Sequence, residues 1–297
     1  MTDLKAYLLE KRDLVDKALK GCFPEPSGPA ADLVRAMTYS LFAGGKRLRP
    51  ILCIAGAEAV GGDGRDALPA ACALELIHTY SLIHDDLPVM DDDDLRRGKP
   101  TNHKVFGEAV ALLAGDGLLT EAFHILANME PPRGTPYRML LKVTGMIAEA
   151  AGFEGMIGGQ VADVQSEGLP VDSERVRYIH SRKTSFLIKA AVLSGALLSN
   201  ADQRVLAALE TYGLAIGLAF QIADDILNIE GDREKLGKQV GSDQERGKMT
   251  WPSAFGLEKS KVKQEELVSS ALESLRIFDH RADPLREIAL YIIKRQR

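Results

Sequence analysis

Apolar residues recur three and four positions apart over most of the chain, and four stretches carry the pattern without interruption: 66–87, 104–128, 172–199 and 202–229. At about 3.6 residues per turn, these spacings predict helices of roughly five to eight turns. The N-terminal segment MTDLKAYLLEKRDLVDKAL has the same spacing with charges between its apolar positions. Breaks are few and marked by Gly and Pro: CFPEPSGP (22–29), GGDG (61–64), MEPPRGTP (129–136), GLPVD (168–172) and LGKQVGSDQERG (236–247). No stretch sustains the period-two alternation of strands joined by hairpin turns. The pattern predicts an all-α fold. With no Pro/Ser linker, low-complexity tract or short repeat, one helical domain over residues 1–297 is the simplest organisation.

The stretch 202–229 is apolar nearly all round between Leu214 and Ile229, which predicts a helix running through the middle of a bundle. Its polar residues are therefore informative. In FQIADDILN, Gln221, Asp224, Asp225 and Asn228 fall at i, i+3, i+4 and i+7 and form one stripe on an otherwise greasy helix. A second acidic group closes the 66–87 stretch, which Pro88 breaks. HDDLPVMDDDDLRRG (84–98) sets six carboxylates, Asp85, Asp86 and Asp91 to Asp94, inside ten positions and follows them with Arg96 and Arg97. His78, Leu82 and Asp85 lie at i, i+4 and i+7, on one face.

A lone acidic run is most often a solvated loop, and a buried Asp pair can simply meet a neighbouring Arg. An EF-hand is excluded, because DDDDLRRG lacks the alternating ligand spacing and the closing Glu. Carboxylates on a buried helix face need cations or hydrogen bonds, since an isolated buried charge is costly. Oxygen-only donors with no His or Cys cluster point to a hard ion, and Mg²⁺ characteristically combines one or two carboxylates with substrate phosphates and water.

The charge balance changes where an anion could bind. With 37 Lys and Arg against 42 Asp and Glu, the net charge is −5 and the pI about 5.8, which speaks against a nucleic-acid partner. Any anion must be met locally. GGKRLRP (44–50) places Lys46, Arg47 and Arg49 at a loop-to-helix junction, where backbone N–H groups also favour anions. Arg96, Arg97, Lys99, Lys183 beside Thr184, and Lys238 add cations at separated points. Singly, each is more often a surface charge. Together with two acidic motifs suited to Mg²⁺, they suggest a pocket for polyphosphate.

Hydrophobic residues make up 45% of the chain but aromatics only 6%, which favours helix over strand. Cys22, Cys53 and Cys72 lie outside any CxxC, which fits a reducing compartment. The N-terminus lacks the features of a signal peptide, and no uncharged apolar run approaches the roughly 18 residues of a membrane span. The expectation is a cytoplasmic protein with no membrane span.

LIHDDLPVMDDDDLRRGKPT, GGKRLRP, GGQVAD (158–163), RKTS (182–185), FQIADDIL and LGKQVGSD are similar, in order and spacing, to the motifs of the short-chain trans-prenyl diphosphate synthases. The resemblance covers nearly the whole chain, and the bacterial farnesyl diphosphate synthases look most alike. It implies an all-α helix bundle around a deep central cavity, the isoprenoid synthase fold, in a homodimer. It also implies three Mg²⁺ ions on an allylic diphosphate, with Asp85 and Asp91 as ligands of two, Asp86 supporting, and Asp224 as ligand of the third. Arg96, Lys183 and Lys238 match the allylic-diphosphate contacts, Thr184 and Gln221 stand beside the reacting carbons, and Phe220 is a further substrate-binding residue. Lys46, Arg49, His78 and Arg97 match the contacts of isopentenyl diphosphate. Asn228 stands where the family usually has a third Asp, which implies weaker hold on the third ion.

The implied reaction is ionisation of dimethylallyl or geranyl diphosphate, attack by the double bond of isopentenyl diphosphate, and loss of a proton to the released diphosphate. Tyr80, five residues before Asp85 with Ser81 beside it, lies about one and a half turns deeper and would form a floor. In the resembled family an aromatic there, with the longer first motif, goes with a C15 product. RRGKPTNHKVFGE also looks like geranylgeranyl enzymes, so C20 is the alternative. A terpene cyclase shares the Asp and Mg²⁺ logic but needs no second diphosphate site, and a noncatalytic synthase subunit could do without metal ligands.

Overall fold

A computed structural model describes residues 3–230 and 247–294 of the chain. Capping carboxylates set the start of two helices. Asp3 accepts from the N–H groups of Lys5 and Ala6 to open α1 (Leu4–Gly21), and Asp172 does the same for α9 (Ser173–His180). Between them run α2 (Ala31–Leu41), α3 (Leu48–Ala59), α4 (Leu68–Asp85), α5 (Asn102–Phe106), α6 (Glu108–Ala127), α7 (Tyr137–Ala151) and α8 (Met156–Val164). After α9 follow α10 (Phe186–Leu198), α11 (Gln203–Glu230), α12 (Trp251–Phe255), α13 (Leu257–Ser274) and α14 (Asp283–Lys294). Thr250 and Ser253 form a reciprocal capping box at the start of α12.

The all-α expectation holds. Among the described residues the strands are two residues each, Leu95–Arg96 and Lys99–Pro100, paired antiparallel. The hairpin they make escaped the periodicity argument because it is so short. Its turn uses Arg97 at φ 54° and Gly98 at φ 74°. Positive φ at both central residues is the two-residue turn whose twist matches paired strands, and an Arg there carries no sequence signal for it.

Three of the four long runs match single helices or nearly so: 66–87 is α4, 104–128 is α5 and α6 joined at Gly107, and 202–229 is α11. The fourth differs. Residues 172–199 divide into α9, a π-helical turn at Ser181–Ser185, and α10. Each flank keeps three-and-four spacing of its own, and the one-residue offset that a π turn puts between them is too short to stand out as a break.

One large apolar cluster joins α1 to α4, α6, α7, α10, α11, α13 and α14. As its apolar circumference predicts, α11 runs through the middle, packed on α10, α13 and α14. α3 and α10 pack backbone against backbone. A Cβ at Gly195 would fall 1.9 Å from the Cys53 carbonyl, so only glycine lets these backbones meet. By length and composition, α6 and α11 could each cross a membrane. For α11 that apolar character is spent on helix packing. On α6, Leu112 and Leu113 stay about half exposed.

Candidate active site

Asp85 ends α4 and Asp224 sits in the last third of α11, yet both line one cavity of about 1110 Å³. The two acidic motifs therefore face a common space. A smaller adjoining cavity of about 230 Å³ shares Asp85, Arg96, Lys183, Gln221 and Asp225 with the first and adds Asp91, Asp163 and Lys248. The acidic run divides sharply by direction. Asp94 is exposed and pairs with Lys104 at 2.7 Å, and Asp92 is also exposed. Of the run Asp91–Asp94, only Asp91 reaches the cavities.

Each inward carboxylate is held by a protein donor. Gln160 Nε2 donates to Asp85 at 2.9 Å, and Lys248 Nζ lies 2.8 Å from Asp91. Arg96 Nε lies 2.7 and 2.8 Å from the two oxygens of Asp86, which is buried on the far side of the loop and does not line the large cavity. Burial pushes the Asp85 carboxyl above its ordinary range; Lys183 counters this, and Asp91 adds to it. Two carboxylates that burden each other in this way are disposed to accept a divalent ion. Among the described residues no group of three or more His, Cys, Asp or Glu forms a closed cage. Mg²⁺ commonly takes only one or two carboxylates and fills the rest of its octahedron with phosphate and water oxygens.

On the opposite wall, Asp225 lines the same cavity as Asp224, but its carboxylate is held by three protein donors. Its Oδ2 accepts from His180 Nε2 at 2.7 Å and from the Trp251 N–H at 2.7 Å, and Oδ1 accepts from Gln221 Nε2 at 3.2 Å. Gln221 Oε1 in turn accepts from the Thr184 hydroxyl at 2.8 Å. Asp225 thus fixes the Gln221 amide, and Gln221 fixes Thr184.

Thr184 and Lys183 sit on the π turn, whose extra residue rotates them inward from the helix line. Backbone packing holds the turn on both sides. A Cβ at Gly159 would lie 2.4 Å from the Lys183 nitrogen, and one at Gly217 would lie 2.5 Å from Ser185 Cα. Lys183 Nζ is 2.6 Å from Asp163 Oδ2. Burial opposes the lysine charge, but Asp163 and Asp85 outweigh it and hold the ammonium above its usual range. Lys183 is a fixed cation at the junction of the two cavities.

Lys46, Arg49, His78, Arg97 and Phe220 line the large cavity, as do Tyr80, Ser81 and Asn228. Arg97 reaches back from the hairpin, its Nη1 donating to the Gly44 carbonyl while the guanidinium lies over Gly45, where a Cβ would be 2.7 Å away. Burial pushes the His78 imidazole well below its ordinary value, and the charges of Arg49, Arg97, Arg96 and Arg47 push it further. It is neutral at neutral pH. As pH falls through about 6.5 the unfolded chain takes up a proton at His78 and the folded chain does not, so stability falls with acid in that window. Between pH 7.5 and 5.5 this contributes up to about 1.4 kcal/mol of lost stability. Urea unfolding at the two pH values should show a smaller loss for His78→Gln than for wild type; equal losses would remove this role.

At the deeper end, Tyr80 is 5% exposed and its hydroxyl finds no hydrogen-bond partner in the protein. Burial and the charge of Asp85 push its pKa up to about 12. The ring meets His84 edge-on at 5.7 Å, and His84 Nε2 is 2.9 Å from the Leu112 carbonyl.

A family model for polyprenyl synthetase matches residues 31–283. The chain belongs to the polyprenyl synthetase family. It is 49% identical over 276 residues to a farnesyl diphosphate synthase of Geobacillus stearothermophilus, covering 93% of this chain and 92% of that one. It is 46% identical to a geranylgeranyl diphosphate synthase of Cyanophora paradoxa, covering 99% and 97%. Among solved structures, an FPP/GFPP synthase from Zymomonas mobilis superposes with a TM-score of 0.87 at 37% identity, over 98% of this chain and 99% of that one. This polyprenyl synthetase is a prenyltransferase of the trans-prenyl synthase kind with the all-α isoprenoid synthase fold.

Of the family-motif residues named from the sequence, all but two line one or both cavities: Asp86 is engaged by Arg96 behind the wall, and Lys238 lies outside the described residues. Sequence reasoning missed the supports. Gln160 and Asp163 lay in GGQVAD without an assigned task. Lys248 is 157 residues from Asp91, and neither His180 nor Trp251 signals that it will hold Asp225. Only the folded chain brings such pairs together.

Proposed function

We propose that this polyprenyl synthetase condenses isopentenyl diphosphate with an allylic diphosphate, dimethylallyl or geranyl, to form farnesyl diphosphate and free diphosphate. The observation that carries this reading is that one cavity is lined by two groups of cations. Arg96 and Lys183 stand with the acidic motifs, and Lys46, Arg49 and Arg97 stand with His78 beside the start of α3. Two diphosphates need two such groups. A terpene cyclase would need one, and a noncatalytic subunit would need neither.

Asp85 and Asp91 on one wall and Asp224 on the other would hold Mg²⁺ against the allylic diphosphate. When bound, Mg²⁺ supplies Lewis-acid neutralisation of the charge that grows on the leaving group. Lys183 and Arg96 add fixed positive charge at the same place, so the C–O bond breaks with its electron pair going to diphosphate. Thr184 and Gln221, locked to each other and to Asp225, turn oxygen dipoles toward the allylic cation without offering a free nucleophile. The double bond of isopentenyl diphosphate then forms the new C–C bond, and the proton lost restores the alkene and passes to the released diphosphate. The apolar wall of Leu82, Leu112, Phe220 and Leu227 excludes water from the cation. Neutral His78 would donate to the second diphosphate without adding charge.

Tyr80 supports C15 over C20. It rises about 7.5 Å deeper than Asp85 on the same helix, at 1.5 Å per residue, and its buried ring lines the cavity. Tyr80→Ala should move the product toward C20 and longer, read by chromatography of dephosphorylated products; an unchanged distribution would remove Tyr80 as the floor. C20 is the second reading because relatives of both names stand at similar identity.

The exposed apolar side chains Leu113, Leu141, Phe153 and Val161, on α6, α7, α8 and the loop before α8, support a homodimer. Three free thiols support a reducing, cytoplasmic setting. The deciding test is purified protein with Mg²⁺, labelled isopentenyl diphosphate and each allylic primer. Consumption of isopentenyl diphosphate with chain extension is expected, and its absence with every primer would overturn the reading.

A further inference from the structure

Arg47 lines the same cavity as Lys46 and Arg49, but its guanidinium is engaged by the protein itself. It caps α3 in a left-handed conformation, φ 50° and ψ 35°, which is strained for an arginine and sends its guanidinium inward. There it is 3% exposed, and three of its nitrogens are engaged. Nε is 2.8 Å from Asp16 of α1, Nη1 is 2.7 Å from Glu75 Oε1 of α4, and Nη2 donates to the Leu41 carbonyl at 2.7 Å. So satisfied a group has little left with which to bind substrate.

Glu75 is the unusual member. It is 2% exposed, lies one helical turn from His78, and lines the same cavity as Arg49 and Arg97. Its charge bears more strongly than that of any other group on both of those guanidiniums. Arg49 Nε is buried with no hydrogen-bond partner in the protein. A carboxylate beside an under-satisfied arginine is a competitor for any diphosphate meant to bind there, because charge-assisted bonds of the same kind would satisfy either.

We propose that Arg47 is a positioning residue for the isopentenyl diphosphate site: by engaging Glu75, it keeps that carboxylate from pairing with Arg49 and Arg97 and leaves both to the substrate's diphosphate. This rests on the two-substrate reading above. It explains why a buried acid is tolerated in an anion site and why an arginine is strained to meet it. A brace that merely supports the fold also predicts that losing both partners does less harm than losing one, but with the KM values of both substrates shifted alike. Sequestration predicts a rise confined to KM for isopentenyl diphosphate that removing Glu75 cancels.

Steady-state kinetics decide between these for wild type, Arg47→Met, the double variant Arg47→Met with Glu75→Gln, and Arg47→Lys with and without Glu75→Gln. Arg47→Met should raise KM for isopentenyl diphosphate by about tenfold or more, with KM for geranyl diphosphate changed less than about threefold. Adding Glu75→Gln should bring the first value back to within about threefold of wild type. If Arg47→Met does not fold, Arg47→Lys carries the test. A single ammonium holds Glu75 less well, so a rise of about threefold that Glu75→Gln cancels is expected. Failure of Glu75→Gln to rescue either background, or equal shifts in both KM values, would overturn the proposal. Calorimetric titration of the same variants with pyrophosphate, without added metal, should give the same order of affinities. If wild type consumed no isopentenyl diphosphate, the two-substrate reading would fail, and the pyrophosphate order would still decide whether Arg47 holds Glu75 away.

Discussion

Replacing Asp85 by Asn should lower Mg²⁺-dependent turnover by about 10²–10³-fold, the loss typical when one preorganised charge-stabilising contact is removed. The fold should survive. Asn keeps the shape of the side chain and its carbonyl can still accept from Gln160 Nε2. The carboxyl is also held above its ordinary range by burial, despite Lys183, and with Asp91 adding to the shift. A group in that condition is ionised at a cost to the folded state at neutral pH, because the unfolded chain gives up the proton more readily. Thermal unfolding of Asp85→Asn without metal should therefore occur at or above the wild-type temperature while activity is lost. Near-normal Mg²⁺-dependent turnover would overturn the assignment of Asp85 to the metal.

Replacing Lys183 by Ala should cost a similar factor in kcat, about 10²–10³-fold, because a fixed cation next to the leaving diphosphate is lost. Here stability should fall too. The ammonium is 2.6 Å from Asp163, which is 7% exposed, and removing one partner of a buried pair leaves the other charge uncompensated. The two effects separate in the double variant Lys183→Ala with Asp163→Asn, which should recover most of the lost melting temperature and little of the lost turnover. Recovery of turnover along with stability would reduce Lys183 to a structural role.

The helical content and the central place of α11 were legible in the sequence for local reasons. Apolar spacing of three and four fixes which face a helix buries, and a polar stripe on the buried helix then marks what that helix is for. The loop-to-helix junction at GGKRLRP was legible as well, since α3 does begin at Leu48. Spacing did not reveal the π turn at Ser181–Ser185, because a one-residue offset between two regular helical flanks does not stand out as a break. Nor could it show which carboxylates of Asp91–Asp94 turn inward, because the loop's backbone and Arg96 decide that together.

The sequence by itself determined the elements and the kinds of ligand they can offer: two acidic motifs on two helices, basic residues at separated points, and an aromatic one and a half turns from Asp85. Tertiary structure alone decided which of these meet. Asp85 and Asp224 share one cavity, Lys248 reaches Asp91, and Arg47, though in the wall of that cavity, spends its guanidinium on Glu75 and Asp16. The physical reason is that helix periodicity is a property of neighbours within about four positions, whereas an ion pair or a shared cavity depends on how faces far apart in the chain are packed against each other.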